Sequence, residues 1–579
     1  MRRILVASIL LAIILSTSYS LFHPGFFRVH DFTHGARIAE LAQAVADGHV
    51  PPQWSKNLGF GYGMPLYLFY APLPYYFGAF IYWLGGSLVI SVKAIFLLAN
   101  VGTAIGAYLL GKRLFGTFGG LLVSAAITLA PYRAVNLFVR GAVSETWGIM
   151  AAVWILYGVV LVLEKERRGW LVLTLSTVAM LLSHNLTAMI FAPFAALFAL
   201  VYWFYSSQRN GRRKIKFTWK PAMVLLGSVF LGFLVSAYYL LPAFGEKSAT
   251  QLETRVLTSY FDYHLHFLYL RQFVNPIWRY GGSVWGPEDD ISFFFGFGQI
   301  VATAITSLAV IHSLTDLWQR SGGNFKAFIK KLVSKKLFII SISFVFLIIA
   351  VYFSLLKSLA VWDALPILKY VQFPWRFLSI IIIFLGLLTA GSLVLIKSSA
   401  KRFFVCFVLI TMMFANLHYF RPEQYLDSPD ALYFSDPGRV ASQMSGILPD
   451  YLPLALDEEE LSIRSLELTT QNLEDLHPEV LIDRTQEKLL KVDISSDMQA
   501  LLQIADFPGW ETEIDGLPVD HITSKQGLIQ LDIPRGQHLV GVRLGSTPIR
   551  RWGYLLTTAG LFVFFFILLS SEKKEKRAQ

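Results

Sequence analysis

Apolar runs near twenty residues long recur along this chain, separated by short basic clusters and two long polar stretches. A helix of that length spans the hydrocarbon core of a bilayer, so each run predicts a transmembrane helix. The first is expected at about 4–22 and the second at about 88–110. Two helices then turn near Pro131 and return at Lys165, Arg167 and Arg168. Two more lead to Arg209, Arg212, Arg213, Lys214 and Lys216. Further spans are expected at about 220–242, 293–317, 337–355, 374–396, 403–419 and 552–570, about twelve in all. Residues 64–86 are apolar enough to cross, but Pro65, Pro72 and Pro74 disfavour a regular helix at their start. A crossing there would also put Lys112 and Arg113 on the wrong side, so the segment is read as membrane-embedded or interfacial.

The pattern changes in residues 420–550, where short segments alternate apolar and polar positions: Leu461–Leu468, Leu489–Ile494, Leu501–Ile504, Leu528–Ile533 and Leu539–Leu544. With turns at Asp515-Gly516 and Arg535-Gly536, this predicts an antiparallel β domain. The expected fold class is an α-helical polytopic membrane protein with an extracytoplasmic antiparallel β domain. Its parts are a membrane domain at 1–419, a β-sandwich-like domain at 420–550, and a final helix with a basic tail at 551–579. No nucleophile or ligand cluster stands out in 420–550, which reads as a rigid cap.

Composition agrees: 55% of residues are hydrophobic and the mean hydropathy is +0.53. The formal charge of +11 does not indicate nucleic-acid binding, because the Lys and Arg residues lie in clusters between apolar runs, where they set orientation. Those clusters put both termini in the cytoplasm of a multi-pass plasma-membrane protein and the loops at 23–87 and 243–292 outside. Arg2-Arg3, the first apolar stretch and Ser18-Tyr19-Ser20 also imitate a cleavable signal peptide; the stretch is read as a retained span. Cys406 is the single cysteine, so no disulfide or thiolate metal site forms within the chain.

Candidate chemistry gathers on the outer side. If the chain is helical from Asp31 onward, His30, Asp31, His34, Arg37 and Glu40 fall close to one face. The same side receives Arg133, Asn136, Arg140 and Glu145, then His184 and Asn185, then Asp262, His264 and His266, and finally Lys369 and Arg376. Ionisable groups at helix ends in an apolar protein are costly and mark candidate sites. No glycine-rich phosphate loop occurs in the cytoplasmic segments, so a phosphorylated substrate is expected outside, carried on a lipid.

Several motifs carry a family resemblance. They are Asp31-x-x-His34, Trp54, the run from Gly59 to Tyr76, Arg140-Gly141-x-x-x-Glu145, Ser183-His184-Asn185, Phe373-Pro374-Trp375-Arg376 and Asp450-Tyr451-Leu452-Pro453. Together they resemble the 6-pyruvoyl-tetrahydropterin synthase-related membrane proteins. Phe507-Pro508-Gly509-Trp510, Asp515-Gly516 and Pro534-x-Gly536-x-His538 look like the outer β domain of multispanning proteins implicated in glycosylating lipoteichoic acid. Both groups are similar to the C-type glycosyltransferase (GT-C) superfamily. The resemblance implies a GT-C-like fold, a catalytic acid in the first outer loop and a polyprenyl-phosphate-linked sugar donor. The implied acceptor is an envelope glycan, lipid or protein.

For an inverting transfer of that kind, Asp31 is the candidate base, with a helix cap as its alternative, and His34 orients it or joins it in holding a divalent metal ion. Arg140, Arg376 and Arg133 are candidate phosphate binders, since a guanidinium stays charged and offers a fork of donors. Glu145, His184, Asn185, Tyr70, Tyr263 and Trp375 are candidate pocket residues; the alternatives are a pair with Arg140 for Glu145 and a helix cap for His184 and Asn185. Tyr260, Tyr263, Trp278, Tyr280 and Trp285 suggest a sugar-stacking or lid role for the loop at 243–292. A flippase of lipid-linked sugars and a non-catalytic envelope scaffold are the rival readings.

Overall fold

The computed structural model describes residues 2–209, 219–333, 336–394, 396, 400–426, 451–457, 470–473 and 478–576. The basic cluster 212–216, Asp450 and the strand expected at 461–468 lie outside the described residues. Nine helices among those described are long and apolar enough to cross a membrane, or up to eleven if two bent pairs each form one span. The shorter apolar helix Gly169–Leu181 lies between Val143–Leu163 and Asn185–Arg209, where one of the twelve crossings was expected. Residues 64–86 form one turn, Leu66–Phe69, and a helix, Leu73–Trp83, too short at about 16 Å to cross.

Both bends have local causes. Pro131 follows the helix Thr117–Thr128, and the chain resumes as Pro131–Ala134 and a π-helical turn, Val135–Val139, turned by 49°. The helices Trp219–Val235 and Ala237–Gly245 meet at 70°. The helix Leu378–Gly391 is buried on every side, so it forms the middle of the bundle. Val143–Leu163 is nearly as enclosed. The segments before these two helices carry Arg376 and Arg140, and Glu145 lies in the first turn of the second, which is how the bundle core brings the three together.

The sheet domain holds a four-stranded and a five-stranded sheet. The alternation read from the sequence is present: Trp510, Thr512 and Ile514 are buried while Glu511 and Glu513 are exposed. Asp515 and Gly516 both have positive φ, as a two-residue hairpin requires. One strand departs from the antiparallel expectation, since Thr470–Asn472 pairs in parallel with Gln499–Leu501 at a sheet edge.

A buried joint fixes this domain to the bundle. Arg550, at the start of the last span, donates to Glu246 (2.9 Å from Nε), to the Pro508 carbonyl (2.8 Å) and to Gln53 (3.4 Å). Gly509 allows this, since a Cβ there would lie 2.8 Å from Arg550 Nη1. Trp54 packs edge-on to Trp510, and the pair Phe26–Phe27 bonds to Tyr425–Leu426. The first loop is therefore clamped between bundle and sheets. At the opposite end of the helices, Arg113 pairs with Glu164 and Glu166, and Arg167 bonds to Ser571.

Candidate active site

The first loop reaches the bundle by two backbone hydrogen bonds, His30 N–H to the Val139 carbonyl (3.0 Å) and Asp31 N–H to the Arg140 carbonyl (2.8 Å). The following helix begins at His34, not at Asp31, with Thr33 in the cap position. Asp31 is thus neither a helical residue nor the cap. Its Oδ1 accepts from the Thr33 hydroxyl at 2.9 Å, and Arg37 Nη1 lies 3.7 Å away. Glu40 belongs to another cluster: it accepts from Ser55 and Asn57 because the helix turns that side chain toward the loop behind it.

His34 is held from both sides. Its Nε2–H donates to the Gly141 carbonyl at 2.5 Å, and Nδ1 is hydrogen-bonded to the Tyr75 hydroxyl at 2.9 Å. Burial lowers the imidazole pKa, against the opposing pull of Asp31 and the Gly141 carbonyl. Gly141 has φ +69°, and a Cβ there would lie 2.8 Å from Val29 Cγ2 and 3.1 Å from the Asp31 carbonyl oxygen. Only glycine permits so close an approach. Burial alone would raise the Asp31 carboxyl, but His34, Arg37 and the Thr33 hydroxyl hold it below the usual carboxylate range, so it is ionised.

Across from Asp31, Arg140 Nη1 donates to Glu145 and to Asn136, both at 2.6 Å, and its guanidinium rests 4.6 Å from the centre of the Trp375 ring. Glu145 also accepts from Tyr132, and Arg376 Nε lies 3.9 Å from it. Arg376 donates from Nη1 to the Val371 carbonyl (2.7 Å) and to Gln372 Oε1 (2.8 Å). Gln372 adopts φ +66°, which a side chain rarely does, and Arg376 Nε has no hydrogen-bond partner. His184 caps the helix Asn185–Arg209, since its Nδ1 accepts from the Thr187 N–H. Asn185 donates to Tyr239 at 2.7 Å.

These groups converge on a cavity of about 1090 Å3. Its polar end is lined by His30, Asp31, Arg37, Arg140, His184 and Arg376, together with Asn185, Tyr70 and Trp375. Arg37 lies over the Tyr70 ring at 4.0 Å. From there an apolar slot runs between helices past Met180, Leu173, Ala192 and Val229 to Ala199. Asn185 and Ala199 are fourteen positions apart on one helix, about 21 Å at 1.5 Å per residue. Leu226 and Phe233, at its side, are exposed.

Two candidates lie elsewhere. Arg133 is fully buried against Asn100 and the Thr146 carbonyl, because the bend at Pro131 turns it into the bundle. Tyr263 bonds to Asp363 and stacks on Trp362 away from the cavity. Glu145 sits behind the lining as the partner of both arginines. The pair Asp31 and His34 does not fit a divalent ion, since both His34 nitrogens are engaged, and no step is derived through one. Among the described residues no three His, Cys, Asp or Glu side chains converge as a metal site. The sequence reading did not single out Lys247, Tyr370 and Gln372 as lining residues. Their only sequence signal is nearness to the Phe373–Arg376 motif or to a helix end.

Fold and site define a multispanning membrane protein with an amphiphilic cavity at its sheet-bearing end. Residues 67–422 match the family described as "6-pyruvoyl-tetrahydropterin synthase related domain; membrane protein", and the chain belongs to that family. The match starts after Asp31 and His34 and stops before the sheet domain. An uncharacterized protein of Lactococcus lactis subsp. cremoris (strain MG1363) is 25% identical over 199 residues, 33% of this chain and 32% of its own length. The chain thus spans about a third of that relative. Among solved structures, the chain resembles arabinofuranosyltransferase AftD from Mycobacteria at 17% identity and TM-score 0.38, covering 76% of this chain and 27% of AftD. It also resembles the Archaeoglobus fulgidus oligosaccharyltransferase at 13% identity and TM-score 0.36, covering 76% of this chain and 53% of that one.

Proposed function

We propose that this protein is a membrane glycosyltransferase that moves a sugar from a polyprenyl-phosphate donor to an envelope glycan, lipid or protein acceptor on the extracytoplasmic face. The observation that carries the reading is the joining of two environments in one cavity. A slot about 21 Å long ends at a carboxylate, Asp31, and two guanidiniums, Arg140 and Arg376. The slot suits a prenyl chain, and the arginines suit the phosphate that heads it. The exposed Leu226 and Phe233 offer a lateral way in from lipid.

In the transfer, the acceptor hydroxyl oxygen attacks the anomeric carbon as Asp31 takes its proton. The bond from that carbon to the phosphate oxygen breaks with its electron pair, and the anomeric centre inverts. Arg140 and Arg376 neutralise the departing phosphate. Glu145 keeps both guanidiniums aimed, Arg140 through a hydrogen bond from Nη1 and Arg376 through the ion pair with its Nε. A transporter of lipid-linked sugars would need polar groups toward both ends of its path, whereas the far end of this slot is apolar.

The test is mass spectrometry of envelope glycans and polyprenyl-phosphate sugars in cells lacking the protein, rescued with wild type or Asp31→Asn. Wild type should restore a missing sugar. An inserted Asp31→Asn should leave the donor accumulating, with transfer lowered by about 10²- to 10⁴-fold. Full rescue by Asp31→Asn would remove Asp31 as the base and sink the reading.

A further inference from the structure

Two histidines flank Asp31 in the chain, and they are bound differently. His34 has both ring nitrogens engaged. His30 lines the polar end of the cavity and is exposed. Its ring makes one hydrogen bond, between Nε2 and the Tyr280 carbonyl at 2.7 Å, and among the described residues its Nδ1 has no protein partner. The residue is held from two directions. His30 N–H donates to the Val139 carbonyl at 3.0 Å. Tyr280, on the other side, is pinned by a β-bridge to Ile291 and by its hydroxyl, which donates to the Arg421 carbonyl at 3.0 Å.

That single ring bond decides where the hydrogen sits. A carbonyl oxygen only accepts, so Nε2 carries the hydrogen. An imidazole with its ordinary pKa of about 6.5 is mostly neutral at pH 7. Here burial lowers it further, joined by Arg140 and Arg28, against the Tyr280 carbonyl and Asp31. The three charged neighbours are themselves paired: Arg28 with Glu423, Asp31 with Arg37 and Arg140 with Glu145. A neutral ring with its hydrogen on Nε2 leaves Nδ1 as a lone pair that accepts and does not donate. The first loop thus carries two hydrogen-bond acceptors on consecutive cavity-lining residues, the Asp31 carboxylate and His30 Nδ1. The Cα atoms of such neighbours are about 3.8 Å apart.

We propose that His30 Nδ1 binds a hydroxyl of the acceptor beside the one that Asp31 deprotonates, and that the acceptor is therefore a sugar or other polyol with adjacent hydroxyls. This rests on the reading of the cavity as a glycosyl-transfer site. A hydroxyl has one proton, so the one that gives its proton to Asp31 cannot also donate to His30. A neighbouring hydroxyl can. An inverting displacement sets the attacking oxygen and the departing phosphate on opposite sides of the anomeric carbon. Arg140 and Arg376 take the phosphate, so a group next to Asp31 in the first loop faces the acceptor. A serine or threonine side chain has no second hydroxyl beside its own and would leave Nδ1 without a partner.

The test separates the two ring nitrogens. An asparagine amide reaches the position of Nδ1, and a glutamine amide that of Nε2. His30→Asn therefore keeps an acceptor for the substrate hydroxyl and loses the bond to Tyr280, while His30→Gln keeps that bond and loses the acceptor. Each variant is induced in cells lacking the protein, and the rate at which the missing sugar returns is read by mass spectrometry. His30→Gln should slow transfer by about tenfold, and His30→Asn should stay within about threefold of wild type. Equal rates in the two variants, or the reverse order, overturn the role of Nδ1. Purified His30→Gln in nanodiscs should bind the lipid-linked donor extracted from Asp31→Asn cells as wild type does. Weaker donor binding would put the hydroxyl on the donor and overturns the assignment to the acceptor. Linkage analysis should find the restored sugar on an oxygen flanked by a free hydroxyl; a sugar on a serine or threonine side chain overturns the polyol acceptor. A wild type that restores no sugar removes the transferase reading and this proposal with it, whereas wild-type transfer lost in Asp31→Asn keeps that reading and leaves His30 to be judged by its two variants.

Discussion

Replacing Glu145 by Gln keeps the shape of the site and removes the charge on which two buried guanidiniums depend. Arg140 Nη1 lies 2.6 Å and Arg376 Nε 3.9 Å from Glu145 Oε2. At an effective dielectric constant near 20, those separations correspond to attractions of about 6 and about 4 kcal/mol. Most of this is offset by the desolvation that the buried carboxylate no longer suffers, so a net loss of about 3 kcal/mol is expected. Around the polar end, Arg37, Arg140 and Arg376 would then face Asp31 alone. The variant should be less stable when empty, yet should bind an anion about tenfold more tightly, a gain of about 1.4 kcal/mol. The assay is thermal inactivation of the protein in nanodiscs at several concentrations of farnesyl monophosphate, with wild type alongside. Glu145→Gln should unfold at lower temperature without ligand and recover more than wild type as ligand is added. An unchanged stability, or weaker binding, would refute the claim that Glu145 balances cations meant for an anionic ligand.

Two further outcomes test the scaffold. Gly141→Ala forces a left-handed backbone onto alanine, at about 1–2 kcal/mol, and its Cβ presses on Val29 and the Asp31 carbonyl; transfer should fall by more than about tenfold while farnesyl monophosphate binding hardly changes. Arg550→Met should destabilise the protein by about 3–5 kcal/mol, because it leaves Glu246 buried without its partner, and adding Glu246→Gln should recover much of the loss in a thermal-inactivation cycle.

Much of this architecture is local in origin and was readable for that reason. The apolar runs set the crossings, because a bilayer demands about 20 apolar residues in a continuous helix whatever surrounds it. The strands at Leu489–Ile494, Leu501–Ile504, Leu528–Ile533 and Leu539–Leu544 announced themselves by alternation, and Asp515-Gly516 by its turn chemistry. Asp31, Arg140 and Arg376, which line the cavity, stood out as well, since charge beside apolar helices is costly. Arg133 carried the same signal and lies elsewhere, because cost alone does not say which way a side chain points. Tyr263 packs away from the cavity for a similar reason: an aromatic residue at an interface finds whichever neighbour packing supplies, here Trp362.

The sequence by itself determined the membrane class, the apolar helices, the sheet domain and the short list of charged residues, all of which depend on neighbours a few positions apart. Only the tertiary structure decided which of those residues meet. Asp31 reaches Arg140 through backbone bonds across more than a hundred residues, and Ser283 joins His266 and Trp375 from a loop and a distant span. Such contacts arise when buried helices pack and polar groups stranded at their ends must find partners. That requirement acts in space, and it leaves almost no mark on the order of residues along the chain.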